Sequence, residues 1–552
     1  MNAAPLEPAT IRPRALLGVL LLAIGLSWPW LGLMDLWPMA TDTGPWIERG
    51  DPAGPDWINW VFHTRHFKVG YRPVTALSFS LGSALAAPSS WMIRGTDCAV
   101  HLASVLCLWA LLRRVLAARP GAAVAALVGM FMVLAHPAVE EVVPFSARRS
   151  YSLALLFACA GLLVGVRVAG SGPRSLLRSL CSGLLLVLAL FSNEVASVAI
   201  LFLPALRWLA DRSPRSTGRR LASAVQVSLL PAALVGLALY FRWTVIGGIG
   251  GYVVEESAQM RATAIWLACW RDLAGFGFLG HSGNVGPLLW AAILLLGLGG
   301  ASRALAAEGR RWSAPPLIAA AWILAYGLLF STQKVWYSRQ AYSLLPALGL
   351  VFACLTQALV AGRGRGRGIA GVAALLTASS LLLASPTWRG LQPERQEKWA
   401  LRQHLIEDLL GAGELELPAR VVCVLPFRRP LDAELKAKVA GAKLPRDARQ
   451  PVLWANYLLA DKDVKLEEFL YIFEPDWNWT RSVAPELEGQ RPGVNVPLDR
   501  DVVLMRFKSP KKRKVAKGAF EALPSAPGPP RELSTWLFLY GPTGGELTPV
   551  GD

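Results

Sequence analysis

Charge is scarce in this sequence. Asp, Glu, Lys and Arg make up 17% of its 552 residues, against about a quarter in soluble domains, while hydrophobic side chains reach 53%. That balance excludes an ordinary soluble domain and a disordered chain alike. Cysteine is sparse as well. Of seven residues, Cys98, Cys107, Cys159, Cys181, Cys269 and Cys354 fall in apolar stretches, Cys423 alone lies in the polar C-terminal part, and no CxxC pair occurs. Neither a disulfide framework nor a zinc site follows from such spacing, and no cofactor is expected; a divalent-metal requirement is not read from the sequence. No Gly-rich phosphate loop is present, so nucleotide binding is not expected either. No unit of about 20 to 50 residues recurs, which excludes a solenoid. Acidic residues are outnumbered, 38 against 56 basic ones, for a net charge of +18. In a polytopic protein that excess belongs to loops on the cytoplasmic side, and nucleic acid is not an expected partner.

What the chain has in abundance is long apolar runs. The first, residues 15–34, follows Arg12 and Arg14. It reaches the roughly 20 residues a bilayer needs and lacks a small-x-small cleavage site, so it reads as an uncleaved helix. Ten further runs lie near residues 95–117, 121–138, 149–169, 176–192, 194–210, 222–243, 285–302, 315–331, 341–361 and 367–386. The expectation is an all-α polytopic bundle of about eleven crossings in the lipid bilayer. Segments 74–87 and 263–279 read as helices at the membrane interface. Arginines 113, 114, 119, 167, 174, 178, 212, 215, 219, 220, 303, 310, 311, 363, 365 and 367 then share one side. By the positive-inside rule that side is cytoplasmic, with the N-terminus.

A transmembrane domain of residues 1–386, with an outer loop at 35–71 rich in tryptophan, would therefore precede an extracytoplasmic C-terminal domain of residues 387–552. This second part reads as a small α/β domain. Helical stretches are expected at 392–410 and 431–442, strands at 420–426 and 502–507, and a loose Pro-rich segment at 523–530. The PKKRKV run at 510–515 reads as a basic surface facing anionic headgroups, and Asn478-Trp479-Thr480 is a formal N-glycosylation sequon.

Ionisable side chains at the edge of a membrane bundle are costly to bury and are functional candidates by default. Four groups qualify. Asp35 ends the first run, with Asp42, Asp51 and Asp56 after it; a carboxylate there is placed to take a proton from an acceptor hydroxyl, or is a solvated loop acid. Tyr71 and Arg72 open the interfacial segment YRPVTALSF, where a guanidinium can grip a phosphate bidentately or anchor to headgroups. His136, Glu140, Glu141, Arg148 and Arg149 crowd HPAVEEVVPFSARRSY, as a site or as a local ion-pair network. Glu194, in FSNEV, needs a partner at its depth, for which Arg148 or Arg149 is the candidate.

This ordered set resembles the membrane half of the GT-C glycosyltransferases. Within these it is most similar to the protein O-mannosyltransferase-like group whose eukaryotic members carry tetratricopeptide tails; such a tail is not expected here. The resemblance is carried by an Asp after the first helix, YRPVTALSF, the His101 of HLASVLCLW, HPAVEEVVPFSARRSYSLALLF and FSNEV. It implies Asp35 as catalytic base with Asp42 as rival, because the family's adjacent acids appear here as Asp35-Leu36. It implies donor and phosphate contacts for Tyr71, Arg72, His101, His136, Glu141, Arg148 and Glu194, and for Arg339 near the tenth helix. Ala147 replaces the family's glycine and Asn193 its lysine. The function implied is an inverting, mannosyltransferase-like transfer of a sugar from a polyprenyl-phosphate donor to a hydroxyl of a protein or glycan acceptor, on the outer face of the membrane. The alternative is a non-catalytic scaffold or assembly factor that kept the fold.

The orientation is directly testable. A reporter fused after Asp552 is expected to be active only in its exported form, and cytosolic activity of that fusion would overturn the crossing count.

Overall fold

The computed structural model describes residues 13–27, 57–62, 70–85, 90–116, 121–167, 173–211, 216–246, 260–281, 283–306, 314–333 and 335–389, with single residues between them, and six strands after residue 418. Asp35, Asp42, the expected helices at 392–410 and 431–442, the Pro-rich segment, the basic run and the sequon lie outside the described residues.

Fifteen described α-helices follow in chain order: α1 Pro13–Leu26, α2 Trp57–Phe62, α3 Pro73–Leu85, α4 Ser90–Leu116, α5 Ala122–Leu134, α6 Arg149–Gly165, α7 Pro173–Ser192, α8 Leu203–Ala210, α9 Thr217–Ile246, α10 Ala262–Leu273, α11 Val285–Ala306, α12 Ala314–Thr332, α13 Leu345–Ala361, α14 Arg365–Ala384 and α15 Pro386–Arg389. Eight helical stretches are long and apolar enough to cross a membrane, beginning at Trp91, Ser146, Pro173, Thr217, Val285, Ala314, Ser338 and Arg365. The chain is thus a multi-pass helical membrane protein by length and composition.

The expected crossings at 121–138 and 194–210 take other forms. The first is only the 13-residue α5. The second is a 3₁₀ turn, Glu194–Phe202, running into α8. A 3₁₀ helix rises about 2.0 Å per residue against 1.5 Å for an α-helix, so this combined segment still extends about 30 Å. Segments 74–87 and 263–279 are helical, as α3 and as α10 with the turn Phe276–Leu279. Trp57 does not simply face lipid, because its indole donates to the Ser80 hydroxyl at 2.8 Å and ties α2 to α3.

Burial distinguishes centre from rim. The span from Ser338 to Ala361 is 78% buried and that from Ser146 to Gly165 67%, whereas those of α9 and α14 are 28% buried and present Leu229, Leu237, Leu375 and Leu383 outward. α4 packs on α5 and α6, α6 on α7, and α7 on α9; α13 gathers α5, α11, α12 and α14. Lipid tails are as apolar as leucine, so close backbone approach must supply the packing, and small residues allow it. At Gly129 of α5 an added Cβ would stand 2.4 Å from the Gly349 carbonyl oxygen of α13. At Gly366 of α14 it would stand 2.6 Å from the Gly300 carbonyl oxygen of α11, while Arg363, Arg365 and Arg367 around it are exposed. The RGRGRG run therefore serves a helix contact as well as a charge bias.

The chain separates into two compact units, one holding these helices and the other the strands. In the latter, β1 Ala419–Val424, β2 Leu470–Phe473, β5 Ser534–Gly541 and β6 Gly544–Pro549 form a sheet in the order β2-β1-β5-β6, with β1 parallel to β2 and β5 and with β6 antiparallel to β5. β3 Met505–Lys508 and β4 Ala519–Ala522 pair separately. The expected strands at 420–426 and 502–507 correspond to β1 and β3.

Replacing Gly129 by Ala is expected to destabilise the bundle by about 1 to 3 kcal/mol through overpacking. Gly236→Ala, which meets nothing within 4 Å, should be neutral or stabilising by up to about 1 kcal/mol. Thermal unfolding in detergent measures both, and equal melting temperatures would refute the close α5–α13 contact.

Candidate functional site

Most of the candidate side chains converge on one end of the bundle, carried by short turns rather than by helix interiors. Two of the turns are built by residues of the sequence motifs. His136 is the N-cap of the 3₁₀ turn Pro137–Glu141, its Nδ1 accepting from the Ala138 amide at 3.0 Å, and Pro137 fills the first position, where no amide is needed. Asn193 caps the turn Glu194–Phe202 in the same way, accepting from the Val195 amide at 3.4 Å. Asn193 is thus first of all a capping side chain.

His136 is fully buried, and its second nitrogen, Nε2, lies 3.1 Å from the Leu273 carbonyl oxygen at the end of α10. An Nδ1 that accepts and an Nε2 that donates define a neutral ring in one tautomer. Next to it, Asp272 accepts from the Trp336 indole at 2.7 Å and pairs with Arg271 at 3.4 Å. Burial pushes the Asp272 carboxyl above its ordinary value, against the opposing effects of Trp336, the Ser338 hydroxyl and Arg271. Gly277 leaves the room this carboxylate occupies, since a Cβ there would meet Asp272 Oδ1. Arg339 follows on the 3₁₀ turn Ser338–Leu344, its guanidinium over the Tyr337 ring at 4.2 Å. This turn packs against Pro137–Glu141.

The second group centres on Glu194. Its Oε1 lies 3.5 Å from Arg72 Nη2 and its Oε2 3.3 Å from Arg242 Nη2. Arg242, near the end of α9, is 1% exposed and also donates from Nη1 to the Tyr71 carbonyl oxygen. The Tyr71 ring is held edge-on by Phe191 and Phe241, and its hydroxyl donates to the Phe62 carbonyl oxygen at 2.8 Å. Sequence reasoning offered Arg148 or Arg149 as partners of Glu194; the structure assigns Arg72 and Arg242 instead. The physical reason is that each of the other two already has its own carboxylate.

Arg148 Nη1 reaches Glu141 Oε2 at 2.6 Å as well as the Glu141 carbonyl oxygen, and its guanidinium lies over Phe145 at 4.3 Å. Arg149 is directed inward. Both it and its partner Asp97 are 2% exposed, Nε to Oδ1 being 2.5 Å. Asp97 Oδ2 also accepts from the Ser146 hydroxyl, Arg149 donates to the Ile93 carbonyl oxygen, and Arg94 donates to that of Pro144. α4 thereby clamps the turn that carries Glu141 and Arg148. His101, one turn further along α4, is buried, with Nδ1 2.7 Å from the Tyr342 hydroxyl. It faces the bundle interior rather than the open end.

Sequence reasoning missed Arg94, Asp97, Arg242 and Asp272. Each is an ionisable residue at the edge of an apolar run, so the rule that singled out Glu194 would have found them, and the spacing of Arg94 and Asp97 on one helix face was a further signal. Among the described residues no group of three His, Cys, Asp or Glu gathers as metal ligands.

No family model and no curated protein matches the chain. Solved structures similar to it include ArnT from Cupriavidus metallidurans in the apo state (TM-score 0.42, 14% identity, 74% of this chain and 82% of that one). The same protein bound to undecaprenyl phosphate gives 0.42 and 14% over 75% and 83%. The oligosaccharyltransferase of Archaeoglobus fulgidus in complex with Zn and sulfate gives 0.41 and 13% over 74% and 60%.

The two pairs on the loop differ in burial, and their removal should differ in cost. Asp97→Ala, which leaves the Arg149 charge buried and unmatched, is expected to destabilise by about 3 to 5 kcal/mol. Glu141→Ala, beside the more open Arg148, should cost about 1 kcal/mol or less. The measurement is thermal unfolding in detergent; the reverse ranking would show that Asp97 does not hold the loop.

Proposed function

We propose that the chain is a GT-C-type glycosyltransferase that moves a sugar from a polyprenyl-phosphate donor to a hydroxyl of a protein or glycan acceptor on the outer face of the membrane. The observation that carries this reading is the gathering of Tyr71, Arg72 and Glu194, from segments over a hundred residues apart, with Arg242 at one end of the bundle. Guanidiniums at that level suit the phosphate of a lipid whose tail lies among the helices. The motif resemblance supplies the rest of the reading. Asp35, with Asp42 as its rival, takes the proton of the acceptor hydroxyl as that oxygen attacks the anomeric carbon in a single inverting displacement. Arg72 and Arg148 stabilise the negative charge that collects on the departing lipid phosphate. His136, Glu141, Glu194 and Arg339 position the donor and these arginines, while His101 with Tyr342 braces α4 behind them. The group is read as mannosyltransferase-like, with the C-terminal domain of residues 387–552 outside.

The second reading, a scaffold that lost activity, is favoured by two observations: Arg148 already holds Glu141, and Asn193 serves as a cap whose amide also donates to the Ser150 hydroxyl at 3.5 Å. Purified protein incubated with a panel of labelled polyprenyl-phosphate sugars separates the two. The enzyme reading expects release of free lipid phosphate, with Asp35→Asn slower by about a hundred-fold or more at unchanged expression. An inactive Asp42→Asn beside an active Asp35→Asn moves the base to Asp42. Full activity of both variants sinks the single-base mechanism, and no release from any donor favours the scaffold.

A further inference from the structure

The mechanism above does not use Arg242, yet this is one of the largest fully buried side chains of the bundle. Burying a guanidinium so completely is costly unless its charge and donors are matched. Here its two arms divide. Nη1 donates to the backbone carbonyl of Tyr71, the residue before Arg72, and Nη2 faces Glu194 Oε2 at 3.3 Å. Glu194 is left holding Arg72 through its other oxygen alone, at 3.5 Å, a long contact for a charge-assisted pair. The backbone beneath Arg72 is fixed from the same helix, because Phe241 beside Arg242 packs edge-on against the Tyr71 ring at 6.1 Å.

We propose that Arg242 is a positioning residue for Arg72, acting through Glu194, in the phosphate site of the reading above, on which this inference rests. An arginine gripped by a carboxylate of its own is a poor phosphate ligand, since the phosphate must displace an equally charged competitor. By taking one oxygen of Glu194, Arg242 prevents a bidentate Arg72–Glu194 pair and keeps Arg72 exchangeable. When Arg72 turns to a phosphate, Arg242 remains to compensate the Glu194 charge, which would otherwise be buried alone. Lysine could not take this part: a single ammonium lacks the planar fork that reaches a carbonyl and a carboxylate together.

The consequence is a specific pattern of loss and rescue. In Arg242→Gln, Glu194 closes on Arg72, and binding of a polyprenyl monophosphate is expected to weaken by about ten-fold or more. Adding Glu194→Gln removes the competing carboxylate, so the double variant should bind more tightly than Arg242→Gln alone, an outcome that a merely structural role for Arg242 does not produce. The experiment measures binding of a fluorescent polyprenyl monophosphate to the full-length detergent-solubilised protein and to the Arg72→Lys, Arg242→Gln and Arg242→Gln/Glu194→Gln variants. The phosphate-free polyprenol serves as control. Arg72→Lys with wild-type affinity would refute the phosphate site itself. If Arg72→Lys binds weakly, then unchanged affinity in Arg242→Gln, or a double variant no better than the single one, overturns the positioning role alone. Should Arg242→Gln fail to fold, Arg242→Lys keeps the charge and loses only the fork. Wild-type affinity in that variant, or failure of Glu194→Gln to rescue it, overturns the proposal equally.

Discussion

The whole candidate site depends on one constraint: charge taken out of water at the end of a membrane bundle must be matched there by opposite charge and hydrogen bonds. Asp97 and Arg149 satisfy it at 2% exposure each, and in doing so they tie α4 to the loop that follows α5. Arg94 adds a bond to the Pro144 carbonyl oxygen and Ser146 one to Asp97. Because an unmatched buried charge is far costlier than a matched one, these bonds form together, and the loop carrying Glu141 and Arg148 has little freedom once they have. Glu194 with Arg72 and Arg242 applies the same rule to three other segments.

The second constraint is on the backbone. Polar main-chain groups near the hydrocarbon layer need internal partners, and the connections at this end meet that need with 3₁₀ turns. Pro137–Glu141, Ser146–Arg148, Glu194–Phe202, Phe276–Leu279 and Ser338–Leu344 each pair part of their backbone internally while bending the chain. His136 and Asn193 cap two of them, so residues that look like reactive groups in the sequence are first of all determinants of local shape. A capped turn of this kind fixes the direction of the side chain beside it, which is how Glu141 and Glu194 come to face their arginines.

Much of this was legible beforehand, and the limits of legibility are instructive. The apolar runs fixed the membrane class, and eight of them are helices of spanning length. The segment 194–210 was seen as apolar, but its hydropathy could not reveal that its first half is 3₁₀, because that depends on a cap and on packing against α7 and α12. Arg72, Glu141, Arg148 and Glu194 were legible as ionisable residues beside apolar runs, and the structure pairs Arg72 with Glu194 and Arg148 with Glu141. Arg242 escaped notice as a single arginine among the aromatics of α9. The Asp97–Arg149 pair escaped because adjacent arginines, Arg148 and Arg149, look equivalent in one dimension.

By itself, then, the sequence determined that the chain spans a membrane and which short stretches hold ionisable groups at helix ends; these are properties of composition and local order. Only the tertiary structure decided who partners whom. Two neighbouring arginines were sent to different carboxylates, a third was brought from α9 to share Glu194 with Arg72, and His101 was turned inward to Tyr342. The physical reason is that pairing depends on distances of 2.5 to 3.5 Å between groups on different segments, 122 residues apart for Arg72 and Glu194, and those distances are set by how closely the helices pack, which small residues such as Gly129 and Gly349 govern.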